Sequence, residues 1–293
     1  MSGSPLRLLR CQNAADFLLK AEEFLVEHEV HNCLPIGIAS LLRTHPEHSV
    51  QPPYFAVVVA ASGAAVAAAV MTPPQNLVLA QTGSRDAVTA IAEDVSRFLR
   101  RLPGATGPMP VSQWLAEAWQ AQTGDSATQS MSERIYKLTQ VRLPEGVAGR
   151  ARRALDEDRG LLMDWLTAFE LEAFGRAPAD VDWRVDAYFR LPNRGIYLWE
   201  VDGQPVSMSG FGGPTPHGIR IGPVFTPPAL RGHGYASACV ARLSQDQLDG
   251  GRSFCCLYTD LLNPTSNHIY QSIGYEPVYD VAEYRFEQPP AAA

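Results

Sequence analysis

The sequence predicts an α/β (α+β) chain of two tandem domains, each a mixed, mostly antiparallel sheet flanked by helices. Three observations predict it. The chain has 293 residues, enough for about two domains at roughly 100–200 residues each. Hydrophobic residues make up 46% and charged residues 19%, so there is apolar surface for real cores and little reason for disorder. One order of patterns also runs twice: helices, hairpin, strand, long helix, strand, short helix, strand. The repeat lies in the pattern and not in matching residues.

In the first half, Leu6–Leu9 is strand-like. A helix follows, with Phe17, Leu18, Ala21, Phe24 and Leu25 spaced along one face. A polar loop ends at Pro52-Pro53. Tyr54 to Met71 is apolar throughout and long enough to suggest a membrane span. Ser62-Gly63 interrupts it, alanines dominate one side and valines the other, and no basic flank supports insertion, so a β-hairpin is expected. Pro73-Pro74 turns the chain into a strand at Asn76–Gln81. The next helix points Val88, Ile91, Ala92, Val95, Phe98 and Leu99 inward. Residues 103–110 form a short strand or loop. A helix carrying Trp114, Leu115, Ala118 and Trp119 stops at Gly124, and Ser130–Val141 is the last strand of this half.

Pro144-Glu145-Gly146 and the charged run Arg150–Arg159 have the composition of a partly helical linker, dividing the chain into domains 1–143 and 144–293. Leu161–Phe174 is helical. Ile196–Val201, the turn Asp202-Gly203 and Pro205–Phe211 make a hairpin. Gly212-Gly213-Pro214 turns, and Ile219–Thr226 is a strand. Gly234–Leu248 is a helix stopped by Gly250-Gly251. Phe254–Asp260 is a strand, Pro264–Ile273 a short helix, and Glu276–Glu287 strands.

A net charge of −7 without a lysine or arginine block argues against nucleic acid as a partner. The cysteines, Cys11, Cys33, Cys239, Cys255 and Cys256, form no C-x-x-C pair and are expected as reduced thiols of a cytoplasmic protein. The opening MSGSPLRLLR lacks the apolar stretch of a secretory signal. His28-Glu29-Val30-His31 is one residue short of H-E-x-x-H, and no metal site is expected.

The most informative segment is Ile219 to Ala236, IRIGPVFTPPALRGHGYA, an alternating strand, a Pro-Pro turn and a glycine-spaced helix start. A helix N-terminus leaves about four backbone N–H groups without intrahelical partners, which together with the helix dipole favour an anion. The third glycine of a dinucleotide fingerprint is missing, as is the Gly-Lys-Ser/Thr of a phosphate-binding P-loop. Arg231-Gly232-His233-Gly234-Tyr235-Ala236 instead resembles the loop of the GNAT superfamily of acyl-CoA-dependent N-acetyltransferases, Arg/Gln-x-x-Gly-x-Gly/Ala, set between strand and long helix. Asn263 to Tyr270 resembles that family's Asn-x6-Tyr helix, ending in Ile273-Gly274-Tyr275. The resemblance covers about residues 150–287. The first half shares only the order of elements; its equivalent stretch, Gln81-Thr82-Gly83-Ser84-Arg85-Asp86, lacks the loop, so it resembles a degenerate GNAT fold without cofactor.

The resemblance implies acetyl-CoA as co-substrate. Val224, Phe225 and Thr226 would lie along its pantetheine arm, and Arg231, Gly232, His233, Gly234, Tyr235, Ala236, Asn263 and Asn267 at its phosphates or nearby. Attack of an amine on a thioester requires a neutral amine, donors for the oxyanion, and a proton or hydrogen bond for the leaving thiolate. Tyr270 holds the donor's place by resemblance, or is a core aromatic. Asp260 is the first candidate base, with Glu200, His217 and Glu283 as alternatives, or is simply a turn acid. Asn263 before Pro264 is also a ready helix cap, His233 a loop residue and Arg231 a partner for phosphate or for a surface acid. No cysteine occupies a nucleophile's position, which favours direct transfer to a small-molecule or peptide amine. A non-catalytic acyl-CoA sensor, or transfer of a longer acyl or aminoacyl group, stays open. No membrane partner is expected, and a homodimer is possible.

Overall fold

The computed structural model describes residues 5–99, 101–178 and 180–288; residues 1–4 of the opening segment lie outside it. The chain divides into two compact units. One comprises the residues up to Ile135, Thr259–Leu262 and the segment from Val278 onward; the other is Tyr136–Tyr258 with Asn263–Pro277.

The first unit contains β1 (Arg7–Arg10), α1 (Ala14–Glu27), α2 (Cys33–Thr44), β2 (Tyr54–Val59), β3 (Ala65–Met71), β4 (Leu77–Leu79), α3 (Arg85–Phe98), β5 (Gly104–Pro108), α4 (Val111–Thr123) and most of β6 (Ser126–Leu138). Its sheet runs β1-β2-β3-β4-β5 and is extended by β12 (Glu276–Glu287). All these pairings are antiparallel except β4 with β5. The expected hairpin turns where Gly63 N–H donates to Ala60. Every residue of β2 is buried. The reason is that both faces of the sheet are covered: Tyr54, Ala56 and Val58 pack with α3 and α4, while Phe55, Val57 and Val59 pack with α1 and α2. A strand covered on both faces reads as one apolar run, which is why it imitates a membrane span. Among the described residues no helix is long and apolar enough to cross a membrane.

Asn32 sits fully buried between these layers. Its amide donates to Leu25 O at 2.9 Å and accepts from Gln81 N–H at 2.8 Å. Asn32→Ala strands one buried and one half-buried backbone group, so urea denaturation should show a loss of about 2 kcal/mol; a loss below about 0.5 kcal/mol would contradict this role.

The second unit contains β7 (Arg150–Arg153), α5 (Arg159–Phe174), α6 (Val181–Arg190), β8 (Gly195–Val201), β9 (Gln204–Gly212), β10 (Gly218–Phe225), α7 (Tyr235–Asp249), most of β11 (Phe254–Asp260) and α8 (Pro264–Ser272). The strands run β11-β10-β9-β8-β7, antiparallel except β10 with β11. Ile219, Ile221 and Leu257 face α7 and α8, while Ile196, Leu198, Met208 and Phe225 face α5 and α6.

Two local expectations, for Arg150–Arg153 and for Phe98, differ from what is observed. Residues 33–44 form a helix that tolerates Pro35, because it lies in the first turn, where its missing N–H has no intrahelical acceptor to lose. Arg150–Arg153, expected as linker, is a strand paired with β8; charged side chains suit its position at the end of the strand order. Phe98 is 40% exposed, with the Arg10 guanidinium 4.5 Å from its ring, and does not point inward.

Candidate functional site

The site begins where two strands part. β10 and β11 pair in parallel at Gly218↔Phe254, Ile219↔Cys255 and Arg220↔Cys256, and there the pairing ends. β10 nevertheless continues to Phe225, still paired with β9 on its other side. Its register against β9 shifts between Ile221 and Val224, where Gly222 takes a φ of +138°. Such an irregularity bends a strand and frees part of one edge. Val224 and Phe225 thus keep backbone groups that an extended ligand can pair with. Ser207 ties this end down: its hydroxyl donates to Phe225 O at 3.2 Å and lies 2.8 Å from that of Thr226. Ser209, in register with Val224, is fully buried with no hydrogen-bond partner for its hydroxyl among the described residues, a gap in polar pairing beside the shifted register.

From Phe225 the chain turns through Pro228–Leu230 into the glycine loop. Gly232 and Gly234 take φ of +83° and +79°, conformations that side chains other than glycine adopt reluctantly. Among the described residues no side chain caps α7, whose first intrahelical bond here is Ala238 N–H to Gly234 O. Residues 231–234 are exposed. The backbone N–H groups of this turn are therefore open to an anion. Arg231 holds the loop in place: its Nε donates to Thr226 O at 2.9 Å and a terminal nitrogen pairs with Glu172 at 2.6 Å. The ring of His233 stacks on Tyr235, 5.3 Å between centroids.

The corresponding helix start in the first unit is closed by its own side chains. Ser84 Oγ accepts Ala87 N–H at 3.2 Å, Thr82 Oγ1 accepts Ser84 N–H at 3.0 Å, and Arg85 pairs with Glu117 at 2.6 Å.

Tyr270, on α8, belongs to the same apolar cluster as Ile221, Val224 and Leu257. It is 8% exposed, and among the described residues no hydrogen bond reaches its hydroxyl. Burial pushes this phenol up to about 12, so it stays protonated at neutral pH. Asn263 caps α8, its Oδ1 accepting Ser266 N–H at 3.0 Å. Asn267 accepts from the Tyr136 hydroxyl at 2.9 Å and donates to Asn263 O at 2.7 Å. Both asparagines thus hold this helix start together. Asp260 ends β11 with its carboxylate accepting Leu262 N–H at 2.8 Å, and it groups with the first unit. Glu283 also groups there and accepts from Ser130 Oγ at 3.0 Å. His217 precedes β10, its carbonyl accepting Ser253 N–H at 2.8 Å.

Glu200 is held in an ion-pair network and is poorly suited to be a base. Arg152 donates to it at 2.5 Å and to Asp158 at 2.6 and 2.8 Å, with both carboxylates buried. The Arg152 hydrogen bonds hold the Asp158 carboxyl below its ordinary 3.8. Its contribution to stability is thus complete above about pH 4 and is lost as pH falls through the depressed value. Arg152→Met leaves two buried carboxylates unpaired and should cost about 3 kcal/mol at neutral pH, read by urea denaturation; an unchanged midpoint would contradict it. Burial pushes the Cys239 and Cys255 thiols up to about 12, leaving neither as a thiolate at neutral pH.

Residues 161–275 match the model of a family described as Acetyltransferase (GNAT) family. No curated protein matches the sequence. Three solved structures are alike over nearly the whole chain. A GCN5-related N-acetyltransferase from Sphaerobacter thermophilus is 16% identical, covers 98% of this chain and 98% of its own, and has a TM-score of 0.60. A tandem GNAT protein from the clavulanic acid biosynthesis pathway is 13% identical, covers 97% of this chain and 99% of its own, with a TM-score of 0.55. A Drosophila protein is 12% identical, covers 97% and 99%, and has a TM-score of 0.67. Identities this low show the fold. The second half therefore carries a GNAT acetyltransferase domain, and the first half is GNAT-like in structure.

Proposed function

We propose that this protein transfers an acetyl group from acetyl-CoA to an amine by direct attack, at the parted strands of its second half. One observation carries the proposal: a helix start with no side-chain cap among the described residues follows a strand that has left its neighbour, and the Tyr270 hydroxyl, without a partner among those residues, lies in the same cluster. Acetyl-CoA supplies an activated thioester carbonyl. The N–H groups from Gly232 to Ala236 hold its diphosphate, and the free edge at Val224 and Phe225 pairs with its amide-bearing arm. Arg231 acts by fixing the loop to Thr226, and Asn263 and Asn267 by building the start of α8.

An N–H of the Val224–Phe225 edge stabilises the oxyanion. The C–N bond forms, the C–S bond breaks, and the amine's proton leaves to water. Tyr270 donates a hydrogen bond to the leaving sulfur. Full proton transfer from a phenol near 12 to a thiolate whose acid titrates at about 8.5 would be uphill by several kcal/mol, so the hydrogen bond is the useful interaction. Five free cysteines suit a reducing, cytoplasmic setting. Incubation with acetyl-CoA and a panel of amines, following free CoA thiol, tests this. Tight acetyl-CoA binding with no amine-dependent thiol release would reject catalysis.

A further inference from the structure

We propose that Arg194 and Arg220 form a subsite for an oxyanion, a carboxylate or phosphate carried by the acceptor amine; as an acceptor subsite it rests on the transferase reading above. Arg220 occupies β10 at the last position paired with β11, the point where the strands part, and is in register with Gly212 on β9. Arg194 immediately precedes β8. Gly212 and Gly213 make the room. A Cβ at Gly212 would lie 3.1 Å from Arg194 Cγ and 3.2 Å from its Nε, and one at Gly213 would lie 3.3 Å from an Arg220 guanidinium nitrogen. The Arg194 guanidinium stands over the Tyr188 ring at 5.8 Å.

The charges around this pair are unbalanced. Arg184, nearby, is neutralised by Glu170 at 2.6 Å and Asp180 at 2.9 Å. Arg153 donates to the Arg194 carbonyl at 2.8 Å, and Arg252 to Asn193 Oδ1 at 2.8 Å, both uncharged acceptors. Among the described residues no carboxylate pairs with Arg194 or Arg220, although acids outnumber bases in the chain as a whole. Burial, with the fields of Arg220 and Arg184, lowers the Arg194 guanidinium from its ordinary value, yet it remains charged. Two half-buried guanidinium groups in each other's field are unfavourable unless an anion lies between them. Their planar forks match a carboxylate or phosphate. A cavity of about 310 Å³ shares Arg153 and Tyr188 with this cluster and gives room for the body of an acceptor.

The test begins with binding. Inorganic phosphate and malonate are titrated separately into the full-length protein, saturated with CoA so that the glycine loop is already filled, and heat is recorded. At least one anion should bind, and Arg194→Gln/Arg220→Gln should weaken it at least about tenfold, with Arg194→Lys/Arg220→Lys recovering part of the loss. The second arm compares an amino acid, an amino-alkyl phosphate and the neutral amide of the same amino acid as acceptors. The wild type should favour an anionic acceptor over the amide at least about tenfold in kcat/KM, and Arg220→Gln should collapse that ratio toward one; which anion is preferred identifies the source. Failure of both anions to bind the CoA-saturated protein, or equal binding by the Gln variant, overturns the subsite. Anion binding lost in the Gln variant without turnover of any amine keeps the subsite and rejects the transferase reading instead.

Discussion

Tyr270→Phe should lower kcat for acetyl transfer roughly 100-fold, the scale of removing one preorganised donor from a reacting centre. The KM for acetyl-CoA should stay within about twofold, because the hydroxyl is needed only as negative charge develops on sulfur. The fold should not suffer. The hydroxyl is in an apolar cluster and has no partner among the described residues, so removing it strands nothing. Thermal unfolding should show Tyr270→Phe at least as stable as the wild type. A purely structural residue would show the opposite: unchanged kcat with altered stability. The pH profile adds a second check. Because burial pushes the phenol up to about 12, its donor function is complete through neutral pH and is lost only as pH approaches that value. At saturating acceptor, kcat should therefore rise as the amine loses its proton and show no fall dependent on Tyr270 below about pH 10, where an unperturbed tyrosine would already be half ionised. A falling limb near pH 9 that vanishes in Tyr270→Phe would contradict the raised value.

Much of the fold was legible because its signals are local. Ser62-Gly63 and Asp202-Gly203 mark hairpins by turn chemistry, and β11 occupies the predicted span Phe254–Asp260. What was not legible depends on distant contacts. β12 follows α8 in the chain but pairs with β5, from Val281↔Pro108 to Arg285↔Gly104, and no periodicity within residues 276–287 announces that partner. β7 is four residues of arginine and alanine whose strand character exists only through β8.

The candidate site divides in the same way. The glycine loop could be read directly, since the left-handed conformations at Gly232 and Gly234 are needed by the backbone itself. The side chains could be read only as alternatives, among them an acid partner for Arg231 and a helix cap at Asn263. Arg231 turns to Thr226 and Glu172, while Asn263 and Asn267 serve the start of α8. Arg194 and Arg220 escaped because an unpaired arginine differs from a paired one only in what surrounds it. One hint existed: Arg220 sits between Ile219 and Ile221 on a strand whose apolar neighbours are buried. A lone cation on such a strand needs a reason.

Gly232→Asp should raise the dissociation constant for acetyl-CoA at least about 100-fold, and it separates an anion slot from a merely flexible turn. The position suits the substitution. A Cβ at Gly232 meets no atom within 4 Å, so sterics are not at issue. The φ of +83° costs about 1–3 kcal/mol in local strain, toward the lower end for aspartate, which tolerates left-handed backbone better than most residues. Against that cost, a carboxylate near the uncapped N-terminus of α7 gains about 0.3–1 kcal/mol from the helix dipole. Stability should therefore change little, while the added charge occupies the slot and repels a diphosphate. Gly232→Asn, with the same shape and strain but no charge, should weaken binding far less. If Asp and Asn are equally harmful, the loop acts through its conformation alone and the diphosphate is held elsewhere. The same change at Gly83, in the first unit, should leave acetyl-CoA affinity unaltered, because Ser84 and Thr82 already satisfy that helix start. Calorimetry on the three variants thus tests at once the electrostatic origin of the slot and its confinement to one half of the chain.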